Sequence, residues 1–112
     1  MFELPTDKTR VLITYRIEPG CLGPDGDQHV DAFCEFVQPY LSVLYPRSCT
    51  WNVVPRHDKA LDEIEYSLIG RKLTKAQSLK FFESMNSDLP RIEQQAQTVL
   101  VESIEVYLGR AA

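Results

Sequence analysis

An α+β fold, with two or three helices packed on one face of a short three-stranded sheet, is the class that this sequence predicts. Three observations carry it. Residues 10–18 and 48–54 alternate apolar and polar side chains at the period of two that a half-buried strand requires. Residues 28–44 and 90–108 instead repeat apolar side chains every three or four positions, which draws one stripe along a helix. Dense clusters of turn-forming residues separate these runs. At 112 residues and 44% hydrophobic content, the chain suffices for one core and leaves no room for a second domain. Residues 1–112 therefore read as a single domain, with residues 1–9 as a flexible N-terminal tail.

The first strand places Val11, Ile13, Tyr15 and Ile17 on one side and Leu12, Thr14, Arg16 and Glu18 on the other. Pro19, Gly20, Gly23, Pro24 and Gly26 then stack turn formers too densely for helix or strand, because glycine admits positive φ and proline removes a donor. The result is a long loop. From Gln28 on, Val30, Phe33, Cys34, Val37, Tyr40, Leu41 and Leu44 form a helical stripe, with Asp25 or Asp27 as cap. Pro39 falls inside it and is expected to bend or divide the helix near Val37 and Gln38.

Residues 48–54 return to strand character, with Cys49, Trp51 and Val53 on one face, and Pro55 closes the run. Residues 62–73 alternate Ile64, Tyr66 and Leu68 against Glu65, Ser67 and Ile69, so the second and third strands are expected to pair as an antiparallel hairpin. Thr74-Lys75-Ala76-Gln77 has the form of a capping box, in which hydroxyl and amide satisfy orphan donors at a helix start. A short helix follows, through Met85. The last helix starts near Pro90, which is tolerated only in a first turn. The order is β-α-β-β-α-α. With the third strand between the first and second, the crossover is right-handed and the core is a truncated ferredoxin-like sandwich.

The charge balance, 12 basic against 16 acidic residues, gives −4 and makes nucleic acid an unfavourable partner. No apolar run reaches membrane-spanning length, and residues 1–9 lack a basic start followed by an apolar run. Cys21, Cys34 and Cys49 form no close pair and leave one odd thiol, which fits a reducing, cytoplasmic setting.

Chemistry, if present, belongs in the 19–29 loop. Amides at a helix start attract anions and lower a thiol pKa, so Cys21 is the candidate nucleophile, with His29 or His57 as base. Gly20, Cys21, Gly23, Asp25 and Asp27 are the candidate ligand-binding residues. Against this, the two aspartates oppose a thiolate or phosphate, and no Gly-Lys-Ser/Thr follows. Asp25, Asp27, His29 and Asp31 alternate as in a calcium loop, but Val30 and Phe36 occupy the positions that need Gly and Glu. No metal or cofactor is expected. Tyr15, Trp51 and Tyr66 share their strand faces with aliphatic residues, so they read as core rather than as a base-stacking platform. Arg71, Lys72, Lys75 and Lys80 read as a solvated rim, and His57-Asp58 as turn chemistry.

With no convergent polar constellation, the sequence favours a small interaction or regulatory module acting without catalysis. Val101 and Val106 lie outside the main stripe of the last helix and widen its apolar surface. A homodimer through that helix or an edge strand is the expected partner arrangement, with another protein as a further partner. The alternative is a small-ligand-binding or thiol-dependent enzyme centred on the loop.

Overall fold

The computed structural model describes residues 10–109, and the expected tail at residues 1–9 lies outside them. Along the chain come β1 (Val11–Ile17), one 3-10 turn (Pro19–Leu22), α1 (Gly26–Ser42), β2 (Cys49–Pro55), β3 (Ile64–Leu68), β4 (Arg71–Leu73), α2 (Lys75–Ser84) and α3 (Leu89–Tyr107). The class is α+β, with a mixed sheet in the order β2-β1-β3-β4. β1 runs parallel to β2 and antiparallel to β3, and β3 runs antiparallel to β4.

Two expectations about the sheet are corrected. The described sheet has four strands, not three, because residues 62–73 are not one strand. Leu68 pairs with Arg71 across a two-residue turn in which Ile69 and Gly70 both have positive φ, 52° and 73°. That combination matches the right-handed twist of a hairpin. β2 and β3 do not pair, and the third strand does not separate the first two as the ferredoxin-like arrangement required. The alternation explains why. β1 is the strand whose inward side chains are nearly inaccessible from end to end, as a central strand requires, with Val11 at 0%, Ile13 at 1%, Tyr15 at 2% and Ile17 at 1% exposure.

The helices meet the sheet on that face. Phe33, Val37 and Leu41 of α1, Phe82 of α2, and Leu89, Ile92 and Ala96 of α3 are buried with Trp51, Val53 and Tyr66 of the strands. Tyr15, Trp51 and Tyr66 are core, as their alternation predicts. Ile64, Leu79 and Val99 are half-buried and pack against this core, Leu68 is half-buried, and Leu22 reaches the core from the loop.

α1 passes through Pro39 without dividing, so of the two outcomes expected there, bending or division, the division does not occur. Pro39 is exposed, and the Ser42 hydroxyl donates to the Gln38 carbonyl at 2.8 Å, adding a bond to the last turn. α1 begins at Gly26, two residues earlier than its stripe suggests, with Asp25 at the cap position but without a side-chain cap bond. The capping box of α2 forms as expected: the Thr74 hydroxyl accepts from the Gln77 amide, and the Gln77 side chain accepts from the Thr74 amide.

Side chains also tie α1 to the sheet edge. Gln38 Nε2 donates to the Trp51 carbonyl and Gln38 Oε1 accepts from the Val53 amide, both at 2.9 Å. The Cys49 amide donates to the Tyr45 carbonyl, and the Trp51 indole donates to the Leu44 carbonyl. Since Pro55 has no N–H, much of the outer rim of β2 is already occupied or donor-free.

Candidate functional site

Two surfaces stand out. One is a polar cleft of about 340 Å³ at the carboxyl ends of the parallel strands β1 and β2, bordered by the start of α1. Gly26 sets its shape. The helix start approaches the 3-10 turn so closely that a Cβ at this position would lie 1.7 Å from the Pro19 carbonyl oxygen. The Glu18 carboxylate accepts from Arg56 at 2.7 Å, while the same guanidinium donates to the Leu61 and Lys59 carbonyls. Arg56 thus fastens the 56–61 loop onto the end of β1.

The candidate loop residues divide between cleft and surroundings. Gly20, Gly23 and Asp27 line the cleft together with His57, and Glu18, Arg56 and Lys59, which sequence reasoning did not single out, complete its polar wall. Cys21, Asp25 and His29 are not among its lining residues. His29 instead sets its ring edge against Tyr107 of α3, 6.3 Å between centroids. Asp58 accepts from the Ala60 amide, which is the turn chemistry its position suggested.

The thiols do not resemble activated nucleophiles. Cys21 is exposed, but partial burial and the carboxylates of Glu63 and Glu18 raise its pKa. Burial pushes Cys34 up to about 12, with Asp31 adding to it, and burial alone pushes Cys49 to about 12. Among the described residues, no cluster of His, Cys, Asp and Glu has the arrangement to hold a metal ion.

The second surface is apolar. Phe36 and Tyr40 of α1, with Val43 and Leu44 just beyond its end, and Val99, Glu102, Ser103 and Val106 of α3 line a groove of about 350 Å³. Each wall follows helical spacing, at positions 36, 40 and 43 and at 99, 103 and 106. Beside the groove, Tyr107 packs on Phe33 and Phe36, with centroids 5.4 and 5.5 Å apart. Val43 is 71% exposed, Val106 57% and Tyr40 54%. Tyr40, read as part of the apolar stripe of its helix, emerges at the groove. Val106 carried a sequence signal as an apolar residue off the main stripe, whereas Val101, 49% exposed, lies outside the groove.

The sheet face opposite the helices carries an ion-pair network. Arg16 donates to Glu65 at 3.2 Å and to the Asp62 carbonyl at 2.6 Å, and Lys72 donates to Asp62 at 2.9 Å. Lys72 holds the Asp62 carboxyl below its ordinary value. Lys75 pairs with Glu93, so two of the four cations of the expected rim have carboxylate partners. No protein-family model, curated protein or solved structure matches the chain significantly.

Proposed function

We propose that the protein is a small noncatalytic interaction module whose working surface is the groove between α1 and α3. One observation carries the reading. Exposed apolar side chains of α1, of the residues just after it and of α3 line one groove, so the patch is contiguous and concave rather than scattered. Removing such a patch from water favours association at about 25 cal/mol per Å² of apolar area, before the costs of ordering the partners.

The occupant is either another protein or, as the sequence led us to expect, a second copy meeting the last helix. The capped rim of β2 and the three-residue length of β4 favour the helical route over strand pairing. A reducing, cytoplasmic setting fits three free thiols, two of them buried. No described helix is long and apolar enough to cross a membrane.

The test is native mass spectrometry of the gently isolated protein beside a Val43→Glu, Val106→Glu double variant. A second copy or another chain bound to the parent and absent from the variant supports the reading. A bare monomer in both, or a complex that persists in the variant, contradicts it.

The polar cleft favours a second reading, a small-ligand site. Its support is position, since ligands in sheets with parallel strands gather beyond the strands' carboxyl ends, where His57 and Lys59 here join Gly20 and Gly23. The thiol-dependent form draws no support from the raised pKa of Cys21. A small-molecule adduct lost on His57→Ala would favour this reading over the first.

A further inference from the structure

We draw no further inference here: the strongest candidate, the polar cleft at the carboxyl ends of β1 and β2, belongs to the site already described, and nothing in the structure beyond its exposed His57 and Lys59 and the start of α1 selects a ligand for it.

Discussion

Replacing Gly26 with alanine would set a methyl carbon 1.7 Å from the Pro19 carbonyl oxygen and 2.5 Å from the carbonyl carbon. Both are backbone atoms, so no side-chain rotation relieves the clash, and either the 3-10 turn or the start of α1 has to shift. Overpacking of this kind costs about 1–3 kcal/mol. The shift also strains the bond from the Gly26 amide to the Gly23 carbonyl, 3.0 Å long, for roughly another 1 kcal/mol. A total near 2–4 kcal/mol lowers the melting temperature by about 10 °C for a domain of this size. Two neighbours serve as controls. At Gly23 an added Cβ meets nothing, but φ is +94°, so Gly23→Ala should cost about 1–2 kcal/mol through backbone strain alone. Gly20 has open space and no positive φ, so Gly20→Ala should be close to neutral. Urea unfolding followed by fluorescence of Trp51, the single tryptophan, measures all three. If Gly26→Ala falls within about 0.5 kcal/mol of Gly20→Ala, the close approach that shapes the cleft is wrong.

Ile69 has a φ of 52°, a conformation that a β-branched residue adopts only under strain, so Ile69→Asn should stabilise the domain by about 1 kcal/mol in the same unfolding assay. Gln38→Ala removes both bonds that cap the β2 rim and should cost about 1–3 kcal/mol, while sedimentation shows increased self-association through the freed edge. Cys34 and Cys49 ionise near 12 in the fold and near 9 when unfolded. Because the folded state holds these protons more tightly, their contribution is complete below about pH 9 and is lost as pH rises toward 12. Stability should therefore fall across that alkaline window, and Cys34→Ser with Cys49→Ser should flatten the fall. Alkylation of Cys21 should keep rising with pH beyond 9, as its raised pKa requires, whereas a plateau below pH 7 would identify an activated thiolate.

The elements that sequence made legible are those with strong local signals. The alternation of β1, the Thr74-to-Gln77 capping box and the stripe of α3 each specify one structure from neighbouring residues alone. The hairpin of β3 and β4 was hidden because its turn is Ile69-Gly70 rather than Asn-Gly or Asp-Gly. Strand order was hidden for a different reason. A parallel β-α-β unit satisfies the handedness rule with its strands adjacent or separated, so the non-local pairing of Ile13 with Tyr66 had to decide. The 19–29 loop was legible as unusual, but its geometry depends on Arg56 reaching Glu18 across 38 positions, which no local pattern encodes. The α1 wall of the groove was present in the spacing of Phe36, Tyr40 and Val43. It became distinct only once α3 occupied the adjacent side of the helix.

Covalent footprinting of aliphatic and aromatic side chains, in the isolated chain and in the assembly recovered under native conditions, tests the central claim most directly. The account predicts protection at Tyr40, Val43 and Val106, with Leu12 and Ile69 on the far side of the sheet labelled equally in both states. Protection of Leu12 and Ile69, with the groove labelled unchanged, would place the working surface on the open face of the sheet and contradict it.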